Sequence, residues 1–142
     1  MHNKYKGNTG ELKVAAYLAS LGYSVFTELG DISKVDLILE KDCSLYKIQV
    51  KSLTSKNGMI SLDSRKCGLN YIHVYNELEV DIFAVYALDE DIIGFISSKE
   101  FLMQKTMNFR IVLAKNKQIK NIRMLSDYCD INKALSFRGN NA

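Results

Sequence analysis

Proline is absent from the 142 residues, histidine occurs twice and cysteine three times. Without proline, turns fall to glycine, asparagine and aspartate, which tolerate tight backbone geometry for different reasons. His2 is terminal and His73 stands in an unmarked context, so a Ser/His/Asp triad has little to be built from. Cys43, Cys67 and Cys129 are far apart, share no metal-finger spacing and are odd in number. That argues against a disulfide framework and for reduced thiols. No apolar run approaches the ~18–20 residues needed to cross a bilayer. No apolar signal region follows Met1 to Lys6, and a cytoplasmic location is expected. Phosphate-cradling glycine loops, dinucleotide fingerprints, repeats and low-complexity tracts are missing too.

What is present is an ordinary globular balance, 47% hydrophobic and 25% charged. The length suits one domain with its own core over 1–142. The net charge of +3 is unevenly spread. Residues 101–142 hold eight Lys/Arg and two Asp, a balance of +6, which leaves −3 on residues 1–100. A basic segment on an acidic body suits a polyanionic partner. The expected division is a core over about 7–100, a basic appendage over about 101–130 and a loosely held tail over about 131–142.

Apolar spacing predicts a helix over 10–21 carrying Leu12, Ala15, Ala16, Leu18 and Ala19, capped by Asn8 or Thr9 and ended by Gly22. Tyr23 to Thr27 alternates as a strand, and Met59 to Leu62 follows the Asn57-Gly58 turn signal as another. Ser64 to Gly68 reads as a basic loop or helix start, and 68–78 as an ambiguous stretch that suits a helix bearing Leu69, Ile72, Val74 and Tyr75. Val80 to Leu88 is an almost unbroken apolar run, as expected of a strand buried on both faces. After a turn at Asp89 to Asp91 comes a strand over Ile92 to Ile96, then a short helix over Lys99 to Met103 opened by a Ser97/Glu100 capping box. Phe109 to Leu113 turns at Lys115 to Lys117 into Gln118 to Arg123, a second hairpin with a basic tip. The class is α/β: a mixed central sheet with flanking helices and a basic C-terminal hairpin.

The most informative stretch is 35–51. Val35 to Glu40 and Leu45 to Lys51 read as paired strands around a polar turn. A turn centred between Asp42 and Cys43 places Val35 opposite Val50, Asp36 opposite Gln49, Leu37 opposite Ile48 and Leu39 opposite Tyr46. The apolar residues then share one face, and Asp36, Lys47, Gln49 and Lys51 share the other. Opposed side chains lie roughly 4.5–5.5 Å apart at Cβ. A carboxylate, an amide and an ammonium therefore come within reach of one small cation and one phosphate.

Each of these residues has an ordinary explanation. Asp36 sits among Val35, Leu37, Ile38 and Leu39, where a charge needs an ion pair, a hydrogen-bond network or a metal. Lysines on strands are usually solvated. Glu11 suits the N3 acid of an Asn8 capping box. In combination they suggest more. Asp36, the Gln49 amide oxygen and the Val50 carbonyl can supply hard oxygens to a divalent ion. Glu11 supplies the negative charge that Gln49 lacks. Lys51 can orient water or neutralise charge on a phosphate.

These residues resemble the PD-(D/E)XK nuclease superfamily, whose pattern is a helix acid, an acid at a strand start and (D/E)-x-K on the partner strand. Here the pattern runs Glu11, Val35-Asp36 and Gln49-Val50-Lys51, over roughly residues 7–52. Val35 replaces the proline and Gln49 an acid. Within the superfamily the chain looks most like the small homing endonucleases encoded by cyanobacterial group I introns. That likeness implies a homotetramer cutting a long pseudo-palindromic site in double-stranded DNA, with Mg²⁺ (or Mn²⁺ in its place).

The resemblance implies catalytic roles for Glu11, Asp36, Gln49 and Lys51, with Glu11, Asp36, Gln49 and Val50 around the metal. Cutting both strands needs two sites, hence a homo-oligomer. Arg110, Lys115, Lys117, Lys120 and Arg123 on the second hairpin are candidate groove readers, since a two-stranded ribbon fits the major groove. Lys34, Lys56, Arg65 and Lys66 flank the first hairpin as candidate phosphate contacts. The rival expectations are a Holliday-junction resolvase-like nuclease that reads shape, and a DNA-binding module left inactive by the loss of charge at Gln49.

Overall fold

The computed structural model of the chain describes residues 1–76, 78–102, 105–113, 115–116 and 122–137. Five strands form the central sheet in the order β1-β2-β3-β7-β8. They are β1 (Ser24–Phe26), β2 (Leu37–Lys41), β3 (Ser44–Leu53), β7 (Ile82–Ala87) and β8 (Ile92–Ser97). All neighbours are antiparallel except β3 and β7. Two small ribbons lie outside this sheet: β4 (Met59–Asp63) with β9 (Thr106–Arg110), and β5 (Arg65–Gly68) with β6 (Tyr71–Val74).

The first hairpin has the expected register. Leu37 faces Ile48 and Leu39 faces Tyr46, and the Asp36 N–H donates to the Ile48 carbonyl at 2.9 Å. The turn places both Asp42 and Cys43 at positive φ, 50° and 61°, as a two-residue type I′ hairpin requires. The apolar run at β7 is buried at all six positions. Its side chains alternate between two cores, with Ile82 and Ala84 on one side and Phe83, Val85 and Ala87 on the other.

Helix α1 (Asn3–Ser20) starts seven residues earlier than periodicity predicts. His2, not Asn8 or Thr9, is its N-cap, with Nδ1 accepting from the Lys4 N–H at 3.3 Å. Residues 3–9 are polar and lie outside the apolar stripe, so periodicity could not reveal them. The stripe also differs. Gly10, Val14 and Leu18 are buried, at a strict four-residue spacing, whereas Leu12 is 63% exposed. Gly10 sets this face. A Cβ on it would meet Ser52 Oγ at 1.8 Å and Ser52 Cβ at 3.2 Å, so the helix reaches β3 only because that atom is missing. Gly22, at φ 89°, ends the helix as expected.

Other elements depart from expectation. Residues 65–74 are the β5–β6 ribbon, neither helix nor loop. The alternation Tyr71-Ile72-His73-Val74 is a strand period that the helical reading overlooked. Among the described residues β9 pairs with β4, setting Phe109 opposite Ile60 and Met107 opposite Leu62. All four are buried, so the apolar alternation of the two strands matches. At the end of β9 the Arg123 carbonyl accepts the Arg110 N–H at 2.7 Å, in a parallel bridge between Arg110 and Met124 and not in the antiparallel sense of the expected hairpin. The rest of that expected hairpin, residues 117–121, lies outside the described residues.

The expected short helix is α2 (Ser98–Phe101), capped by Ser97 Oγ. Glu100 does not close the capping box with Ser97. It accepts from the Tyr128 hydroxyl at 2.9 Å. The tail expected to be loose begins with α3 (Ile131–Leu135), which buries Ile131 and Ala134 in the same core as α1. Apolar residues at i and i+3 dock it. Among the described residues no helix is long and apolar enough to cross a membrane.

Candidate active site

The carboxylate of Asp36 is the hinge of the site. Its Oδ2 accepts from Gln49 Nε2 and from the Val50 N–H, both at 2.7 Å. Such charge-assisted bonds fix a carboxylate more firmly than neutral ones do. Gln49 is 8% exposed, so its amide is held inside the fold, on the middle strand of the sheet. The nitrogen end faces Asp36, and Nε2 also reaches the Val50 carbonyl at 3.4 Å. The expectation that the Gln49 amide oxygen faces the same point as Asp36 is therefore corrected. A carboxylate can only accept, so it selects the NH₂ end.

Glu11 is not in the first turn of α1. It is the ninth helical residue, so the capping-box explanation for it fails. The close approach at Gly10 instead brings Glu11 to a cleft of ≈ 560 Å³ that it shares with Lys4, Glu28, Asp31, Val35 and Asp36. Burial first, and then the Asp36 and Asp31 carboxylates, push the Glu11 carboxyl above its ordinary 4.5. Two acids from separate elements thus repel each other across one cleft. Glu28 is turned aside, its Oε2 accepting from the Ser33 N–H at 3.1 Å and hydroxyl at 2.8 Å, and these bonds hold it below the ordinary value.

Lys51 extends from the same strand as Gln49, two residues on. Its Nζ donates to the Tyr75 hydroxyl at 3.2 Å and lies 4.7 Å from that ring's centroid. The sequence reading missed Tyr75 as a site neighbour. Taken as a strand, 71–75 would have placed Tyr71, His73 and Tyr75 on one side. Lys47, expected on the same face, is tied down elsewhere. Its N–H donates to Asp81 Oδ2 at 2.7 Å, and its ammonium donates to the Leu78 carbonyl.

The donor set fits a hard divalent ion. Asp36 and Glu11 give two carboxylates at one cleft, and the Val50 carbonyl, 3.4 Å from Gln49 Nε2, is a neutral oxygen nearby, while Gln49 itself turns its NH₂ end to Asp36. Among the described residues no three His, Cys, Asp or Glu side chains cluster tightly enough to hold a metal by themselves. With Gln49 in the acid position, the chain's own charge complement is that of a lightly charged site.

The basic candidates are dispersed. Lys34 lies 6.0 Å from the Tyr71 ring, beside the turn of the β5–β6 ribbon. Lys56, Lys115 and Arg123 are exposed. Arg65 is clamped by Asp63, Nε to Oδ1 and Nη2 to Oδ2, both at 3.0 Å. Arg110 Nε donates to the Val112 carbonyl at 2.9 Å. Lys66 has its backbone in β5 opposite His73. The Lys66 side chain, Lys117 and Lys120 lie outside the described residues.

A central sheet that joins a helix acid, a strand-start acid and a Gln-x-Lys strand defines a class. The profile described as PD-(D/E)XK endonuclease matches residues 1–131, and the chain belongs to that family. Among solved structures it is similar to a bacterial homing endonuclease, I-Ssp6803I. The TM-score is 0.75 at 20% identity, over 90% of this chain and 88% of that one. At that identity the likeness establishes a shared fold. No curated protein matches the chain in sequence.

Proposed function

We propose that the chain is a site-specific DNA endonuclease of the homing type, hydrolysing phosphodiester bonds of double-stranded DNA with Mg²⁺ or, in its place, Mn²⁺. The observation that carries this reading is the pair of hydrogen bonds that Asp36 accepts from Gln49 and the Val50 N–H, with Glu11 across the cleft and Lys51 two residues beyond Gln49 on the same strand. The family membership supports nuclease chemistry, and the fold neighbour, itself a homing endonuclease, favours the homing type.

Asp36 and Glu11 would hold the ion, with the Val50 carbonyl as a neutral oxygen. When bound, a divalent ion lowers the pKa of an attacking water and polarises the phosphoryl group. Gln49 keeps the Asp36 carboxylate aimed. Lys51 places a fixed positive charge where negative charge develops on the phosphate. Lys34, Lys56 and the described basic residues near β9 would contact the DNA backbone, where phosphate binding sets register without reading bases.

Double-strand cutting calls for at least two copies of the site. Leu69, Tyr71, Ile72, Val74 and Leu78 expose apolar surface on and beside the β5–β6 ribbon, and a patch of that kind suits self-association; the homotetramer is the arrangement we favour. We place the activity in the cytoplasm, where free thiols such as Cys43 and Cys129 persist. Incubation with a randomised duplex library and Mg²⁺, followed by sequencing of the cut ends, tests the reading. Ends gathered at one extended motif support it. Cutting confined to four-way junctions would make the chain a resolvase.

A further inference from the structure

Tyr75 stands where the β5–β6 ribbon returns to the main body. It is 3% exposed, and its N–H donates to the Ser64 carbonyl at 3.1 Å. Its ring packs edge-on against Phe83 (centroids 5.4 Å apart) and His73 (5.3 Å). Those ring contacts would be served equally by phenylalanine. The hydroxyl is the part that packing does not explain, and a buried tyrosine hydroxyl normally has a partner. Here the partner is Lys51 Nζ, 3.2 Å away. Burial, followed by the charges of Asp36 and Glu79, pushes the phenol up to about 12. The hydroxyl therefore keeps its proton at neutral pH and meets the ammonium as an acceptor. Both the oxygen lone pair and the ring's negative face favour a cation at this point.

We propose that Tyr75 is a positioning residue for Lys51: its hydroxyl oxygen and ring hold the lysine ammonium in place, two residues along β3 from Gln49. The inference rests on the nuclease reading only for what that ammonium then meets, the scissile phosphate. It gives the β5–β6 ribbon a second role, because a segment far from the hairpin in sequence completes the hairpin's site. His73, edge-on to Tyr75 and bound to Glu79 at 3.0 Å, buttresses the ring from the outer side.

The test is Tyr75→Phe, which removes only the oxygen. Loss of a hydrogen bond to a charged group predicts about a 10-fold fall in kcat. DNA affinity measured in Ca²⁺ should stay within about two-fold, because the oxygen acts on the reacting step and not on duplex binding. Wild-type kcat, or a fall in kcat matched by an equal loss of affinity, would overturn the proposal. A second readout needs no cleavage: the NMR order parameter of ¹³Cε-labelled Lys51, its signal assigned from Lys51→Arg. In Tyr75→Phe the Lys51 side chain should become more mobile with the fold intact by circular dichroism. A parent protein that cuts no duplex while this change is present sinks the nuclease reading and supports the hold of Tyr75 on Lys51. Unchanged Lys51 mobility sinks that hold whether or not DNA is cut.

Discussion

Replacing Gln49 with glutamate tests the site at its most constrained contact. The two side chains are nearly isosteric, so packing is little altered. What changes is the atom facing Asp36: a donor at 2.7 Å becomes a second carboxylate oxygen. Gln49 is 8% exposed, so water cannot take over its role. Losing a hydrogen bond to a charged group costs ~1.5–3 kcal/mol. Two carboxylates about 4 Å apart at an effective dielectric of 20 repel by ~4 kcal/mol. The pair can escape that repulsion by sharing a proton, which costs about 4 kcal/mol at pH 7.5 for an ordinary glutamate. Sharing a proton keeps the hydrogen bond and is the cheaper route, so the net destabilisation without metal is about 4 kcal/mol. At ~3 °C per kcal/mol for a chain of this size, the melting temperature should fall by about 12 °C in EDTA. Acidification should narrow the gap, because the shared proton becomes available. Added Mg²⁺ should raise the variant's melting temperature more than the parent's, since the new carboxylate adds charge where an ion binds. Differential scanning calorimetry in EDTA and in Mg²⁺ measures both effects. A Gln49→Glu protein melting within ~2 °C of the parent in EDTA, or gaining nothing extra from metal, would refute the contact or the ion site respectively.

Glu11→Gln should act in the opposite direction. The Glu11 pKa is raised in the fold, so the stability it contributes is complete below the ordinary carboxylate value. That stability is lost as pH rises through the raised one. At pH 7 without metal the glutamine variant should therefore melt higher than the parent, the difference closing on acidification, and it should lose most of the Mg²⁺-dependent gain. Gly10→Ala should destabilise by about 1–3 kcal/mol through overpacking against Ser52, despite the better helix propensity of alanine. Adding Ser52→Ala removes the atom at 1.8 Å and should restore much of the loss in urea melts. For DNA binding, Lys34→Ala should reduce the salt dependence of affinity by a slope of about one. Arg65→Ala should change it less, because Asp63 already neutralises that guanidinium.

How much was legible in the chain depended on how local the signal was. The hairpin register follows from alternation on two strands and a two-residue polar turn, all within seventeen residues, and Leu37 opposite Ile48 is where that arithmetic puts it. The double-sided burial of β7 follows from an unbroken apolar run. Features set by distant partners were not legible. The start of α1 is polar, and its buried face is decided by Gly10 against Ser52, forty-two positions away. The choice of β4 as the partner of β9 is settled by matching apolar alternation across the chain. Tyr75 became part of the site only because the stretch around it forms a strand, not a helix. Glu11 lies in one cleft with Asp36, but from the ninth residue of α1 and not from its first turn, because the polar start of the helix carries no periodic signal.

The central claim is that Asp36 and Lys51 meet one ion and one phosphate, and cleavage of the chain's own duplex target by matched variants tests it most directly. With Mg²⁺ present, the parent should cut that duplex, while Asp36→Ala and Lys51→Ala should each lose at least ~10³-fold in rate yet still bind it, as expected when metal and charge stabilisation are removed from the reacting step. An intact duplex with the parent in both Mg²⁺ and Mn²⁺, or variants that cut as fast as the parent, would contradict it.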